Sequence, residues 1–191
     1  MRLGLFGGSF DPVHHGHLAL ARCAREQAAL DEVWFIPAAM QPLKPHGPRA
    51  SAEHRLAMLR LAIAGDPHLK VSALEIERGG VSYTADTLRE ICAQFPDAKL
   101  FFLMGADALH DLPNWREPVE ILRLATPLVV RRPGEPPLDN PALPPHEAIE
   151  MPALDISSSD IRRRLATGES IGELVPAEVV SYIQLHNLYS I

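Results

Sequence analysis

The greatest density of chemically useful side chains lies near the start of the chain, over residues 7–17. Gly7 and Gly8 begin this segment, and three of the nine histidines of the chain fall within positions 14–17. Glycines allow backbone N–H groups to approach an anion closely, and a helix that starts near His17 directs the positive end of its dipole to the same place. Imidazole rings can also donate hydrogen bonds to phosphate oxygens and partly neutralise them. The segment therefore predicts a phosphate-binding turn.

Two other interpretations of this segment stay open. Many α/β proteins have a glycine-rich turn between a strand and a helix for conformational reasons alone. Asp11, His14 and His17 also carry donor atoms suited to a metal, although no H-E-x-x-H pattern accompanies them and a metal leaves the glycines unexplained. The chain contains neither G-x-x-x-x-G-K-[ST] nor G-x-G-x-x-G. The predicted phosphate-binding turn is therefore different from the P-loop and from the dinucleotide-binding fingerprint.

A second candidate anion site lies near the end of the chain, over residues 156–162. Ser157, Ser158 and Ser159 stand at the start of a predicted helix, where serine hydroxyls and unpaired N–H groups are available, and Arg162 follows one turn later. The guanidinium adds a full, forked positive charge. The alternative is an ordinary N-cap followed by a solvated basic face from Arg162 to Arg164.

Both segments resemble known signatures. Residues 8–17 match G-x-F-D-P-x-H-x-G-H and residues 156–162 match I-S-S-[ST]-x-I-R, which are typical of the nucleotidyltransferase superfamily. Within it, nearly the whole chain is similar to bacterial nicotinate-nucleotide adenylyltransferase. That narrower resemblance is carried by Ser82 to Leu88, by Gly105 to Leu109 with Trp115 following, by Arg131 to Gly134, and by the ending from Val175 to Tyr189. Pantetheine-phosphate adenylyltransferase has a similar first motif but lacks these middle segments in this form.

The resemblance implies a reaction and its participants. ATP and nicotinate mononucleotide would give nicotinate adenine dinucleotide and pyrophosphate, with Mg²⁺ as the cofactor carried by the ATP phosphates and no metal site of the protein's own. The phosphate of the mononucleotide would be the nucleophile and would attack the α-phosphorus of ATP. Because that phosphate is largely ionised near neutral pH, the protein would contribute mainly positioning and charge stabilisation.

The resemblance also assigns residues to roles. The catalytic residues would be His14, His17, Lys44 and Arg162. The ATP-binding residues would be Gly8, Ser9, Phe10, His14, His17, Ser158, Ser159 and Arg162. The residues that bind nicotinate mononucleotide would be Lys44, Thr84, Asp107, Trp115, Arg116 and Arg132.

Among the acceptor residues, Trp115 would stack on the pyridine ring, and backbone N–H groups at Thr84 and Arg116 would meet the nicotinate carboxylate. The alternatives are a tryptophan of the core or rim, and Asp107 as a helix cap. One departure concerns the family's P-P-H-K sequence, because this chain has Gln41-Pro42-Leu43-Lys44 and lacks the histidine there.

Three functional hypotheses follow. The first is adenylyl transfer to nicotinate mononucleotide. The second is transfer to another phosphorylated acceptor, either the amide mononucleotide or phosphopantetheine. The third is an ATP-binding sensor without turnover, because a fold can persist after its chemistry is lost. The intact histidines and Arg162 favour an enzyme over a sensor.

The elements that must position these residues alternate along the chain. Apolar runs predict strands over Leu3–Phe6, Val33–Ile36, Val71–Ile76, Leu100–Met104 and Pro127–Val130, with amphipathic helical segments between them. This order predicts an α/β fold, a doubly wound Rossmann-like parallel sheet with helices on both faces. Six prolines within residues 133–148 predict a surface loop. Helices over Asp160–Leu165 and from Pro176 onward complete one domain, 1–191, whose C-terminal helical part, 156–191, packs on the sheet.

Composition limits the partners. The 191 residues include 18 Lys and Arg against 24 Asp and Glu, a net charge of −6, which argues against a general nucleic-acid binder. No long apolar segment predicts a membrane span or a secretory leader, so we expect a cytoplasmic protein. Cys23 and Cys92 have no C-x-x-C partner and are expected to be buried thiols. A homo-oligomer stays open.

Overall fold

We describe a computed structural model of the chain, covering residues 1–42, 47–131, 138 and 140–190. Six strands form one sheet: β1 (Arg2–Gly8), β2 (Glu32–Pro37), β3 (Leu69–Val71), β4 (Lys99–Gly105), β5 (Ala125–Arg131) and β6 (Glu147–Glu150). The helices are α1 (His15–Gln27), α2 (Ala52–Ile63), α3 (Leu74–Arg78), α4 (Thr84–Gln94), α5 (Ala106–Asp111), α6 (Pro118–Leu124), α7 (Ser158–Ala166) and α8 (Ala177–Leu185). A 3₁₀ turn over Leu112–Asn114 follows α5.

The strand order is β3-β2-β1-β4-β5-β6, and every neighbouring pair is parallel. This confirms the predicted doubly wound fold. The chain moves outward from β1 to β3 and then returns to the other side of β1 to build β4, β5 and β6. In sheets of this kind, ligands bind beyond the carboxyl ends of the strands where the order reverses. That point lies between β1 and β4, next to Gly7 and Gly8 at the carboxyl end of β1.

Two buried clusters cover the two faces of the sheet. Along β1, Leu3 and Leu5 belong to the cluster that includes residues of α4 and α6, whereas Phe6 belongs to the cluster that includes residues of α1, α2, α7 and α8. This alternation is the period of two that a strand imposes on its side chains. Gly4 lies on the second face, where a Cβ atom would come within 2.7 Å of Leu30. Alternate residues of a strand therefore pack against helices on opposite faces of the sheet.

The C-terminal part shares its core with the sheet. Ile161 of α7 and Val179 and Ile183 of α8 are buried in the same cluster as Phe35 of β2. The described residues contain no helix with both the length and the apolar character needed to cross a membrane. Cys23 and Cys92 are free, but each is only half-buried, so their expected full burial is wrong.

Three element boundaries differ from the sequence predictions. The strand expected over Val71–Ile76 ends at Val71, and α3 begins at Leu74, where Glu77 N–H donates to the Ala73 carbonyl at 2.8 Å. Alternating apolar residues in so short a segment suit a helical turn as well as a strand. Residues 147–148, expected in the loop, begin the edge strand β6, because no proline after Pro145 prevents pairing with β5. Helix α1 begins at His15, two residues before its expected start.

Candidate active site

The first motif, residues 8–17, forms the turn from β1 into α1. Its Phe10 is 2% exposed, has a backbone φ of +49°, and packs edge to face on Phe6 with ring centroids 5.3 Å apart. A Cβ atom at Gly8 would lie 2.9 Å from the Phe10 ring. Gly8 is therefore required because the buried ring lies against its backbone, a packing reason that the sequence prediction did not include. On the other side of the turn, the buried Arg55 donates to the Ser9 carbonyl at 2.9 Å.

Asp11 anchors this turn to the rest of the protein. Its buried carboxylate accepts hydrogen bonds from the backbone N–H groups of Arg49 at 2.7 Å and Ala50 at 3.0 Å, and from the Tyr189 hydroxyl at 2.7 Å. These bonds direct the carboxylate toward the loop before α2. No group of three or more His, Cys, Asp and Glu side chains is arranged to hold a metal ion within residues 1–42, 47–131, 138 and 140–190. The alternative of a metal bound by Asp11, His14 and His17 thus has no support in the geometry.

His14 and His17 lie against each other at the start of α1. Their rings stack with centroids 3.6 Å apart and an angle of 24° between the ring planes. The His14 backbone N–H donates to His17 Nδ1 at 3.2 Å. Because Nδ1 accepts this bond, a neutral His17 carries its proton on Nε2 and presents that nitrogen as a donor.

Both imidazoles are neutral at physiological pH. Burial, and secondarily the neighbouring His15, lowers the pKa of His14 from 6.5 to about 4. The pKa of His17 lies well below 6.5, again because of burial first and then because of His14. A charged imidazole would lose water here, so the neutral form is favoured. The sequence-based expectation that these rings partly neutralise phosphate therefore changes: they can donate hydrogen bonds, but they carry no net charge before a ligand arrives.

The second motif, residues 156–162, contacts the first motif directly. The Ser158 hydroxyl donates to the Pro12 carbonyl at 2.9 Å, and Arg162 donates to the Asp11 carbonyl at 2.7 Å. Arg162 also donates to the Ser159 hydroxyl at 3.1 Å. The two candidate anion sites of the sequence are thus one continuous surface around the N-termini of α1 and α7.

The alternative interpretation, an N-cap followed by a solvated basic face, is correct for Ser157 and for the two arginines that follow the motif. Ser157 is the N-cap of α7, and its hydroxyl accepts from the Asp160 N–H at 3.1 Å. Arg163 and Arg164 pair with Asp160 at 2.7 and 2.8 Å on the surface. Arg162 differs from its two neighbours because it turns inward to the first motif.

A cavity of about 670 Å³ begins beside Gly7 and Gly8, at the carboxyl end of β1. Its lining is mostly apolar and includes the predicted acceptor residues Thr84, Trp115 and Arg116. Thr84 is the first residue of α4, so first-turn N–H groups of this helix lie at the cavity wall. Its position is set by the preceding Ser82, whose N–H donates to the Met40 carbonyl at 2.8 Å and whose hydroxyl accepts from the Ala39 N–H at 3.0 Å.

Trp115 and Arg116 also line this cavity. The Trp115 ring meets Phe102 edge to face at 6.0 Å, and its Nε1 donates to Asp111 at 3.2 Å. The Arg116 guanidinium lies 4.5 Å from the centre of the Tyr83 ring. Trp115 is half-buried and belongs to the cavity rim, so it can still present a ring face to a ligand.

Exposed ion pairs connect this wall to α4. Arg89 of α4 pairs with Glu117, with Glu120 at 3.5 Å and with Asp86 at 3.1 Å. Arg116 pairs with the same Asp86 at 3.5 Å. The hydrogen bond from Arg89 lowers the pKa of the Glu117 carboxyl. This cluster of side chains joins the residues after Trp115 to the helix that carries Thr84.

Comparisons with known proteins agree with this geometry. The cytidylyltransferase-like family model matches residues 5–164, a range that includes both motifs. Probable nicotinate-nucleotide adenylyltransferases are 50% identical in Roseiflexus, 48% in Thermus thermophilus and 45% in Rhodopirellula baltica. These matches cover 98–99% of this chain and 97%, 100% and 94% of the three relatives. The chain belongs to the nicotinate-nucleotide adenylyltransferase family.

Solved structures of similar adenylyltransferases share the fold. The nicotinic acid mononucleotide adenylyltransferase of Plasmodium falciparum complexed with NaAD superimposes with a TM-score of 0.81 at 22% identity, covering 98% of this chain and 97% of that one. The same enzyme complexed with APC gives 0.79 at 21% identity, with coverages of 98% and 96%. At this identity, the likeness establishes the architecture.

Of three further residues predicted for this adenylyltransferase site, one lies away from the cavity wall and two fall outside the part of the chain that the structure describes. Asp107 is exposed at the second position of α5 and does not line the cavity; the N-cap there is Gly105, so the helix-cap alternative is wrong as well. Lys44 and Arg132 lie outside the described residues. Their roles stay predictions.

The cavity also contains polar residues that the sequence did not indicate. Glu75, 7% exposed, accepts from the Thr87 hydroxyl at 2.6 Å, and Arg78 donates to that hydroxyl at 2.9 Å. Glu75 lies in the segment assigned to a strand, so no pattern pointed to it. Asp111 bonds Trp115 across the 3₁₀ turn that follows α5, a contact that no sequence pattern indicated either.

Proposed function

We propose that this chain transfers the adenylyl group of ATP to nicotinate mononucleotide, giving nicotinate adenine dinucleotide and pyrophosphate. One observation carries the proposal: the two motifs touch through Ser158–Pro12 and Arg162–Asp11, and the surface they form adjoins a cavity lined by Trp115. An ATP molecule on the motifs and an aromatic acceptor in the cavity would lie side by side. The family relationship supports the same reaction.

The reaction is a direct phosphoryl substitution. An oxygen of the mononucleotide phosphate forms a bond to the α-phosphorus of ATP, and the bond from that phosphorus to the bridging oxygen of the β-phosphate breaks. The electron pair of the broken bond leaves with pyrophosphate. Because the attacking phosphate is already ionised, no side chain has to remove a proton, and the protein acts through position and charge.

The motifs supply groups suited to those tasks. His17 presents Nε2–H as an uncharged hydrogen-bond donor. This donor can stabilise the negative charge that develops at the α-phosphate during the reaction. His14, whose ring stacks on that of His17, keeps its predicted contact with the ATP phosphates. Arg162, with Ser158 and Ser159 beside it, supplies the positive charge for the β- and γ-phosphates as the leaving group forms. Backbone N–H groups at Gly8, Ser9 and Phe10 complete the predicted ATP site.

Mg²⁺ enters this proposal as part of the substrate. It is held by ATP phosphate oxygens and supplies charge neutralisation for the departing pyrophosphate. The carboxylate closest to the site, that of Asp11, already accepts three hydrogen bonds from the protein. A metal carried by the nucleotide suits this donor arrangement better than one caged by Asp11.

The cavity, hereafter the acceptor cavity, suits an aromatic acid. Trp115 offers an electron-rich ring face to the electron-poor pyridine. The N–H groups at the start of α4, near Thr84, and the positive end of that helix dipole favour a carboxylate over an amide. Arg116 adds a second donor at the same wall. Lys44 and Arg132 keep their predicted roles near the mononucleotide, and Asp107 could reach it only from outside the acceptor cavity.

A turnover assay decides among the acceptors. The protein is incubated with ATP, Mg²⁺ and, in separate reactions, nicotinate mononucleotide, the amide mononucleotide and phosphopantetheine, while pyrophosphate release is followed. We expect the acid mononucleotide to be used best. Turnover of phosphopantetheine alone contradicts the proposal, and ATP binding without any turnover identifies a sensor. The cytoplasmic location, the lack of nucleic-acid and membrane partners, and the oligomeric state stay predictions.

A further inference from the structure

The last residues of the chain return to the first motif in an unusual backbone conformation. After α8, Asn187 has a φ of +49° and Tyr189 a φ of +66°. Asparagine adopts this left-handed region fairly often, but a bulky aromatic residue does so rarely. Strained backbone of this kind persists only where surrounding contacts impose it. Two contacts hold Tyr189 here: its side chain packs against the buried cluster, and its hydroxyl donates to Asp11 Oδ1 at 2.7 Å.

Asp11 is the residue through which that contact reaches the site. Its backbone carbonyl accepts the 2.7 Å bond from Arg162, while its carboxylate oxygen Oδ2 lies 3.9 Å from the same guanidinium. Among the described residues, Tyr189 is the one side chain that hydrogen-bonds this carboxylate; the other two donors are backbone N–H groups. Tyr189 therefore helps to keep the carboxylate from moving toward Arg162.

The Tyr189 hydroxyl is a dependable donor. Burial first, and then the neighbouring Asp11, raises the pKa of Tyr189 above its usual range, so the phenol stays protonated. Without this donor, only the two backbone N–H groups hold the carboxylate, so it can move closer to Arg162 than 3.9 Å and form a tighter ion pair. Such a pair draws the guanidinium away from the Asp11 carbonyl and reduces the positive potential available to an anionic ligand.

We propose that Tyr189 is a positioning residue for the ATP phosphates, acting through Asp11 to keep Arg162 turned toward the nucleotide. The proposal rests on the adenylyl transfer proposed above. It gives the C-terminal segment a kinetic role in addition to packing, although the segment contributes no atom to the reacting groups.

The test compares two phenol-to-benzene substitutions in the same part of the chain. Tyr189→Phe removes the donor to Asp11. Tyr182→Phe is the matched control, because the Tyr182 hydroxyl bonds His54 Nδ1 at 2.9 Å and touches neither motif. We expect Tyr189→Phe to raise the KM for ATP about fivefold, less than the loss of a direct hydrogen bond to a charged group because the effect reaches ATP through Arg162, with little change in the acceptor KM. Tyr182→Phe should leave both values within about twofold.

A double-mutant cycle tests the route through Arg162. In an Arg162→Lys background the forked guanidinium is absent, so Tyr189→Phe should add less than about twofold to the ATP KM. Full multiplication of the two effects, or equal increases in both substrate KM values, overturns the proposal and makes Tyr189 purely structural. So does an unchanged ATP KM in Tyr189→Phe.

Direct binding of Mg·ATP without acceptor separates this proposal from the proposed function. If the wild-type protein does not use nicotinate mononucleotide but Tyr189→Phe still weakens ATP binding about fivefold, the reaction is wrong and the role of Tyr189 holds. If the wild type uses nicotinate mononucleotide and the ATP affinity of Tyr189→Phe is unchanged, the proposed reaction holds and the proposed role of Tyr189 is wrong. The double-mutant cycle can also be calculated from these Mg·ATP binding constants. Variants with a lowered Tm can be included in it.

Discussion

The first motif and the acceptor cavity lie side by side at the carboxyl edge of the sheet, yet they are built differently. In the motif, buried side chains and hydrogen bonds from four other parts of the chain hold the turn, through Arg55, Arg49 and Ala50, Arg162, and Tyr189. The cavity has about 670 Å³ of free volume and a mostly apolar lining. One of its walls is secured by exposed ion pairs of Arg89.

This difference matches the two tasks. A group that stabilises charge at the reacting phosphorus must already be oriented, because reorganisation during the reaction raises the barrier. An acceptor, by contrast, has to enter and leave, so its walls can be held by weaker surface contacts. The comparison therefore predicts that substitutions in the motifs act mainly on ATP use and on kcat, and that substitutions around the cavity act mainly on the acceptor KM.

The largest effect is expected at His17. His17→Ala removes the Nε2–H donor and should lower kcat about 100-fold while ATP binding changes little, because the donor acts on charge that develops during the reaction. Pyrophosphate release at saturating substrates measures it. His68→Ala, at an exposed histidine after α2, is the control. An unchanged kcat removes His17 from the mechanism.

Arg162→Lys should lower kcat/KM for ATP about 30-fold, because lysine keeps the charge but cannot bond the Asp11 carbonyl and Ser159 together. Arg163→Lys is the matched control, since Arg163 is the next residue and pairs with Asp160 on the surface. Equal kinetics for the two variants would mean that the inward turn of Arg162 has no functional value.

Trp115→Ala should raise the acceptor KM about tenfold through loss of the aromatic face, while the ATP KM stays constant. Trp115→Phe keeps a ring and should recover most of the affinity. Steady-state kinetics with each substrate varied in turn will measure both. A larger increase in the ATP KM than in the acceptor KM contradicts the prediction that the cavity acts mainly on the acceptor.

The neutral histidines predict a pH effect on stability. Because the pKa of His14 is about 4 when folded and 6.5 when free, the unfolded chain binds a proton that the folded chain does not bind between these values. The free energy of unfolding therefore falls as the pH falls through this window. Between about pH 7 and about pH 5.5, His14 accounts for about 1 kcal/mol of that loss.

Urea unfolding of His14→Gln over the same pH range tests this. The variant should show a shallower decline than the wild type. An identical decline in His14→Gln means that His14 is protonated in the folded protein.

The smallest effect is expected at the exposed cluster. Arg89→Gln loses the pairs to Asp86, Glu117 and Glu120, and should raise the acceptor KM by about twofold at low salt and by less at high salt, because screening already weakens such pairs. Comparing the acceptor KM of both proteins at two ionic strengths measures it. A salt-independent increase would assign Arg89 a direct contact with the acceptor.

Several features were accessible from the sequence because they depend on local order. The alternation of apolar strands with helices led to the doubly wound sheet, and two short motifs at helix starts led to the nucleotidyltransferase resemblance. Where a segment was too short for its period to be decisive, as at Leu74–Arg78, the prediction failed. The edge strand β6 was not predicted, because its formation depends on pairing with β5 and not on its own sequence pattern.

The residue sequence by itself determined the fold class, the two motifs and the candidate side chains, since strand and helix periods and helix-start chemistry are local properties. Only the tertiary structure decided that Arg162 donates to the Asp11 carbonyl and that Tyr189 donates to the Asp11 carboxylate. It also decided that the Phe10 ring leaves no room for a side chain at Gly8, and that two histidines are neutral. Those outcomes depend on distances between residues far apart in the chain and on how much water burial removes, and neither quantity is encoded in any short stretch of sequence.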